Sequence, residues 1–562
     1  MAAPAGEAYG RPVSIAPAPL EPLIDGREAL ARGAWPEALA AFEAALSREE
    51  TAEAWEGLGW AAWWLSDEPL TLRAREAAYR AYRARGDDAE AGAVAAWLGS
   101  DYREFRGEDA IGRGWLERAH RLLDPLPESA AHGWLALNEG SFALNVDGAP
   151  EEAARLARLA ARLGRELGVA DLEAVGLAQE GIAEVVCGRV AEGMRNLDEA
   201  SAIASAEELQ LPVSHGWALC YLIAACDGVG DLPRATQWCK VMRDVAERWN
   251  ARMLIGVCRS TYGRVLATSG DWVRAEDELV GALCDLEAAR PGQASGGLVR
   301  LGELRARQGR TDEARALFER AGTAGLLGLG ELALHGGDAP GAADAAERVL
   351  RRLPEVDVLG RFPALELLMR AQVQAGRLGA AAQALAALER AGDRLGTPYL
   401  LGRVRLAAGQ LALARGDHEE ARRASEDAID RLADSAAPYD TAAARVELAR
   451  ALGALRRPEG AAAEARAARD AFAALGAARE LERAEALLAG GPAAAADPLG
   501  ELSAREVEVL GLVAQGLGDA GIAQRLYLSP HTVHRHVANV RMKLRLPSRT
   551  AAVAYAARAG LL

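Results

Sequence analysis

The feature that most constrains this chain is a period. Short breaks in which Gly is followed by Asp or Arg, with Ala four or five positions further on, separate apolar segments at Gly230-Asp231, Gly270-Asp271, Gly309-Arg310, Gly376-Arg377 and Gly416-Asp417. Gly337-Asp338 divides the longest of these intervals. Gly188, Gly148, Gly107 and Gly33 carry the series upstream, with a degenerate break near Ser66 inside the last gap. The spacing is about 40 residues, a unit too small to bury an apolar face alone, so the units must stack and the chain must grow as an array.

Within a unit the pattern is helical. Leu301, Leu304 and Gln308 precede Gly309, while Ala314, Leu317, Phe318 and Ala321 follow it at helical spacing. Each unit is therefore expected to be a helix hairpin. Gly ends the first helix because it accepts a left-handed conformation cheaply, and the Asp or Thr that follows is placed to cap the second. The Ala beyond the break lets the two helices approach closely. In these features residues 23–490 resemble the tetratricopeptide-like family, with a unit longer than its usual ~34 residues. The resemblance implies a right-handed superhelix with a concave groove for a ligand or protein partner.

The 562 residues are 50% apolar and 26% charged, a globular composition. Lys+Arg 65 against Asp+Glu 80 gives −15, which excludes a chain that coats nucleic acid or anionic membrane along its whole length. Residues 1–22 are expected to be a disordered tail, with neither a basic head nor an apolar run to mark a secretory signal. The longest apolar stretch, Gly216 to Cys226, stops at Asp227, well short of the ~20 residues that span a bilayer. Six cysteines in such a length point to a reducing cytoplasm. Two lysines among the 65 basic residues, in an Ala-rich chain, point to a GC-rich bacterial genome.

Two clusters invite a functional reading. All 12 Trp lie between Trp35 and Trp272; packing between hairpins is the favoured reading and an aromatic-lined groove the other. Cys187, Cys220, Cys226, Cys239, Cys258 and Cys284 contain no C-x-x-C pair and are expected to be structural thiols, not metal ligands. Enzyme signals are missing. Neither lysine ends a phosphate-binding loop. Gly328-Leu329-Gly330 imitates a dinucleotide fingerprint without a preceding strand, and His418-Glu419 lacks the second His of a zinc protease. No catalytic residue, cofactor or metal is expected.

Composition changes at Gly490-Gly491-Pro492 and the alanines after it, so residues 491–497 are expected to be a linker. Residues 498–562 carry eight basic and four acidic residues, +4, which leaves 57 basic and 76 acidic residues, −19, for the rest. The positive field belongs to this end, as a polyphosphate-binding tip requires. Four short helices can be drawn. Ser503 to Glu506 forms a capping box that opens the first, with Val507, Leu510 and Val513 inward. Asp519 is placed to cap the second, with Ile522, Ala523 and Leu526 apolar. After Tyr527-Leu528, Ser529 caps the third with Pro530 at its first position; Val533, Val537, Val540 and Leu544 form its apolar stripe. The other face carries His531, His534, Arg535, Ala538, Asn539, Arg541 and Met542 and no acid. Ser548 caps the fourth.

Leu502-Ser503-x-Arg505-Glu506, Ile522-Ala523-x-x-Leu526, Leu528-Ser529-x-x-Thr532-Val533-x-x-His536-Val537-x-Asn539-Val540, Lys543-Leu544 and Arg549-Thr550 are similar to the LuxR-type (FixJ/NarL-type) DNA-binding domain. The expected fold is thus all-α, a helical-hairpin solenoid followed by a small four-helix helix-turn-helix domain. The resemblance implies that the third helix enters the major groove of double-stranded DNA, with a homodimer on a pseudo-palindrome. It implies that the face containing His534, Arg535 and Ala538 meets base edges, that Thr532, His536, Lys543 and Arg549 hold phosphates, and that Asn539 belongs to the same DNA-binding set. Arg535 has the fork geometry for guanine.

This chain departs from the family in two places. Gly518-Asp519-Ala520-Gly521 stands where polar residues are usual and puts a Gly inside a helix at ~1 kcal/mol. His534 replaces a lysine, which makes that charge depend on pH. The expected function is a cytoplasmic DNA-binding transcriptional regulator whose solenoid senses a ligand or partner. The alternative is an interaction scaffold whose degenerate terminal domain no longer binds DNA.

Overall fold

The computed structural model describes residues 21–206, 209–489, 502, 504–543 and 551–552. All regular structure among them is helical, 28 α-helices and two 3-10 turns. The chain divides into two compact units, Met1–Leu481 and Glu482–Leu562. Residues 1–20 of the expected tail and the expected linker 491–497 lie outside the described residues, and Glu21 and Pro22 already belong to the first helix, Glu21–Ala31.

The first unit is an all-α solenoid of hairpins with the tetratricopeptide-like plan, such as Pro212–Val229 with Leu232–Arg248 and Arg252–Ser269 with Trp272–Ala289. Every glycine of the periodic series has left-handed backbone, from φ 62° at Gly148 to 94° at Gly270, and Ser66 at the degenerate break has φ 59°. The next break falls at Arg456, φ 57°. It keeps the period without a glycine, so a search on glycine passes over it.

Capping follows the expectation for Asp. The carboxylates of Asp67, Asp231, Asp271, Asp338 and Asp417 each accept a backbone N–H three residues on. It fails for Thr: after Gly309 the cap position is Arg310, which makes no side-chain cap bond, and Thr311 is already inside its helix. The cap is the residue immediately after the turn glycine, so a Thr one place later arrives too late. The fifth residue after each break packs against the preceding helix, as with Ala153, Ala235, Ala275, Ala314 and Ala342, all fully buried. At Gly193 the approach is closer still, since a Cβ there would lie 2.4 Å from the Gly181 carbonyl oxygen.

Stacking of neighbours is only part of the packing. Trp35 Nε1 donates to Asn250 O at 3.1 Å, Thr397 to Val229 O at 2.8 Å, Arg394 to Cys187 O at 2.6 Å and Arg479 to His335 O at 2.6 Å. Segments 144 to 215 residues apart thus touch. The accepting carbonyls of Cys187, Val229 and His335 sit at helix C-termini, where no intrahelical donor is left and a cation is favoured. Buried charge acts both between neighbouring helices and across such a long-range junction. Arg75 and Asp101, 2% and 1% exposed, pair at 2.9 Å, and Arg290 reaches Glu104 at 3.4 Å while lying 3.8 Å over the Phe105 ring.

The tryptophans are packing elements. Trp35 stacks on Trp64 at 4.6 Å, and Trp97 touches Trp60, Trp134 and Trp217. Together with Val213 and Ala251 these rings join the start of the solenoid to residues some two hundred positions later. Four cysteines are buried; Cys220 is half-buried and Cys284 exposed, so a structural role does not extend to Cys284. No helix among the described residues is long and apolar enough to cross a membrane.

Candidate nucleic-acid interface

The second unit contains Ala504–Ala514, Asp519–Leu526 and Pro530–Lys543. Its core is what the apolar stripes dictate: Val509, Val513, Ile522, Ala523, Val533 and Val537 form one cluster, and Leu510, Ala514, Val540 and Ala552 a second. Leu510 and Val513 point inward as expected; Val507 is half-buried, and Val509 takes the more central place. Of the expected fourth helix only Ala551 and Ala552 are described, both helical, with Ala552 packed under the third helix. Ser503 of the expected capping box, Leu544, Ser548 and Arg549 lie outside the described residues.

The turn between the second and third helices is built locally. Tyr527 adopts φ 56°, its N–H closing on Ala523 O, and its side chain is 96% exposed. Arg505 Nη2 donates to Leu526 O at 2.8 Å, satisfying a carbonyl at the end of the second helix, while Nη1 pairs with Glu508 at 2.6 Å. Ser529 is the expected cap: its Oγ accepts the Thr532 N–H at 3.0 Å and meets the Thr532 hydroxyl at 2.7 Å.

Asp519 is not the cap expected of it. Gly518, in extended conformation, occupies the cap position, and the Asp519 carboxylate turns to His534, Oδ2 lying 3.3 Å from Nδ1. The N-cap is the residue before the first helical one, and here that residue is Gly518, which has no side chain to offer.

Burial of Val533, Val537 and Val540 fixes the rotation of the third helix and so decides what faces outward. His531, His534, Arg535 and Ala538 are exposed, His534 at 75%. Thr532, His536 and Asn539 are half-buried, with His536 Nδ1 shielded from solvent. Lys543 reaches back across the domain, Nζ 2.6 Å from the buried Glu506 Oε2. Arg535 forms no ion pair among the described residues. Thr532, His534, Arg535, His536, Ala538, Asn539 and Lys543 thus lie on one helix, with Lys543 committed to an internal partner.

Arg505 and Glu506 stand out in the sequence as part of the capping box and the family motif, but their partners Leu526 and Lys543 do not. A base and an acid at the start of the first helix give no cue to those distant partners.

Residues 500–556 match the family model described as bacterial regulatory proteins, luxR family. The chain is 48% identical over 61 residues to the putative HTH-type transcriptional regulator Rv0890c of Mycobacterium tuberculosis, 11% of this chain and 7% of that protein. It is 42% identical over 66 residues to the oxygen regulatory protein NreC of Staphylococcus carnosus, 12% of this chain and 30% of that protein. The chain therefore spans under a third of the length of either relative. Among solved structures, a Rap protein complexed with competence and sporulation factor aligns over 67% of this chain and 98% of its own, at 12% identity and TM-score 0.44. The C-terminal unit carries a luxR-family helix-turn-helix domain, and the chain before it is a tetratricopeptide-like helical solenoid.

Proposed function

We propose that the protein is a DNA-binding transcriptional regulator and not an enzyme. Its terminal domain lays Pro530–Lys543 in the major groove of promoter DNA, and its solenoid receives a ligand or protein partner in the cytoplasm. The observation that carries this reading is the outward face of that helix: His531, His534, Arg535 and Ala538 are exposed on a helix with no acidic residue. Arg535, with no ion-pair partner to give up, reads a guanine edge, worth ~1 to 3 kcal/mol of discrimination. His534, Ala538 and Asn539 share the base-facing side, and Thr532, His536 and Arg549 hold phosphates. Lys543 adds a phosphate contact only with the charge that Glu506 leaves it. The domain acts as a homodimer on a pseudo-palindrome, and the solenoid shifts the population of DNA-competent dimer.

The test is genome-wide occupancy mapping with the native chain and with Arg535→Ala. Loss of specific sites with general duplex affinity kept supports the reading, and an unchanged footprint rejects it. The scaffold alternative draws on Gly521 inside the second helix and on the engagement of Asp519 with His534. Duplex binding that is absent or insensitive to salt favours it.

A further inference from the structure

The solenoid carries a solvent-open pocket of about 620 Å³ whose walls come from segments some two hundred residues apart, including Trp63, Arg103, Trp217, Tyr221, Ser260 and Arg300. This volume lies within the ~300 to 1,000 Å³ of small-molecule sites. The 3-10 turn Pro291–Gln293 brings the two sides together: a Cβ on Gly292 would lie 2.4 Å from Arg103 O and 2.7 Å from Glu104 O. Only glycine allows that approach.

The wall carries two guanidiniums, Arg103 and Arg300, and two carboxylates, Glu104 and Asp109. Arg300, half-buried on the helix Ala294–Arg307, donates Nη1 to Ser260 Oγ at 3.0 Å and has no carboxylate within ion-pair distance among the described residues. Asp227, one of the acids that act on Arg300, is itself paired with Arg264 at 3.0 Å. Burial pushes the Arg300 guanidinium below its ordinary value, against the opposing pull of Asp227 and Glu303. Arg103 Nη2 donates to Ser141 Oγ at 3.0 Å, and its Nε is buried without a hydrogen-bond partner. Glu104 is divided between Arg103 at 3.5 Å and Arg290 at 3.4 Å. The other acid of the wall, Asp109, belongs to the first turn of the helix Asp109–Leu123, whose dipole it complements. Two indoles also line the cavity, the half-buried Trp217 and the largely covered Trp63, together with Tyr221, whose hydroxyl accepts from Gln179 at 3.3 Å and stays protonated through burial.

From this juxtaposition we propose that the cavity binds a small planar aromatic carboxylate, with the carboxylate on Arg300 and Ser260 and the ring against the indole wall. A guanidinium fork matches a carboxylate with two parallel hydrogen bonds, and Trp supplies flat apolar area beside it. The inference deepens, and rests on, the sensing role proposed for the solenoid. Because Arg103 and Arg300 belong to distant segments, an occupant ties them together and stabilises the folded solenoid by mass action.

The experiment is calorimetric titration of the full chain with benzoate, indole-3-acetate, 2-naphthoate and the uncharged 2-naphthalenemethanol. At least one carboxylate is expected to bind saturably at one per chain, about tenfold or more tighter than the alcohol, and Arg300→Gln is expected to lose about tenfold, as fits a hydrogen bond to a charged group. Equal binding of 2-naphthoate and alcohol, unaltered binding by Arg300→Gln, or no saturation by any of the three acids at about 10 mM overturns the proposal. If Arg300→Gln does not fold, the acid-against-alcohol comparison on the native chain decides alone. A chain that binds duplex DNA but none of the acids removes this site and leaves the DNA reading standing. Acid binding with DNA binding lost does the reverse.

Discussion

Lys543 and Glu506 join the third helix of the terminal domain to its first, the lysine Nζ 2.6 Å from a carboxylate that is only 4% exposed. Glu506 lies in the first turn of Ala504–Ala514, and Lys543 is the last residue of Pro530–Lys543. The pair orients the third helix on the first.

Replacing Glu506 by Gln removes the charge and keeps the shape. A charge-assisted hydrogen bond at a buried acceptor is worth ~1.5 to 3 kcal/mol, so amides of Pro530–Lys543 are expected to exchange about ten- to a hundredfold faster in the variant. Hydrogen exchange by mass spectrometry measures this. Protection equal to that of the native chain shows the pair to be incidental.

Asp519 places a carboxylate against the exposed face of the third helix, 3.3 Å from His534. On the proposed mode of binding, DNA competes with it for the imidazole. Asp519→Asn is expected to raise duplex affinity about two- to fivefold at low salt, the scale of an exposed ion pair, and to steepen its salt dependence. Fluorescence anisotropy across a salt series reads both, and a fall in affinity contradicts the arrangement.

The legibility of the chain follows the range of its interactions. Turn glycines, Asp caps and the small residue beyond each break are decided within one hairpin, and those features of the sequence carry directly into the structure. The valines of the third helix likewise fix its rotation and so expose Arg535. Contacts such as Trp35 with Asn250, or Arg290 with Glu104, depend on how far each hairpin rotates on the last. That rotation sums small packing differences over many units and leaves no periodic mark. For the same reason the cavity between Arg103 and Arg300 is invisible in a linear reading, and Arg456 escapes a search keyed to glycine.

Arg290 is 1% exposed, lies 4.5 Å over Trp63 and 3.8 Å over Phe105, and meets Glu104. Truncating it leaves a carboxylate without one of its two cations in a buried junction and removes the stacking. Arg290→Ala is expected to destabilise the solenoid by ~3 to 5 kcal/mol, the usual cost of breaking a buried pair. Urea unfolding followed by Trp fluorescence measures it, and a loss below ~1 kcal/mol would show that the junction is held by apolar packing alone.

The solenoid also has a pH-dependent clasp at His120. Its Nε2 lies 2.6 Å from Glu139 Oε1 and its Nδ1 3.1 Å from Asp124 Oδ1. Hydrogen bonding to Glu139 outweighs burial and pushes the imidazole up to about 9. The folded value exceeds the ~6.5 of an unfolded chain, so this stabilisation is fully present below about pH 6.5 and is lost as pH rises through 9. The ring is 39% exposed, and solvent screening holds the effect to ~1 kcal/mol or less. Comparing the native chain with His120→Gln cancels every other titrating group. The native chain is expected to lead in urea midpoint at pH 6 and to lose most of that lead by pH 9.5. A gap of the same size at both pH values means that the imidazole carries no proton in the fold and that Glu139 is held some other way.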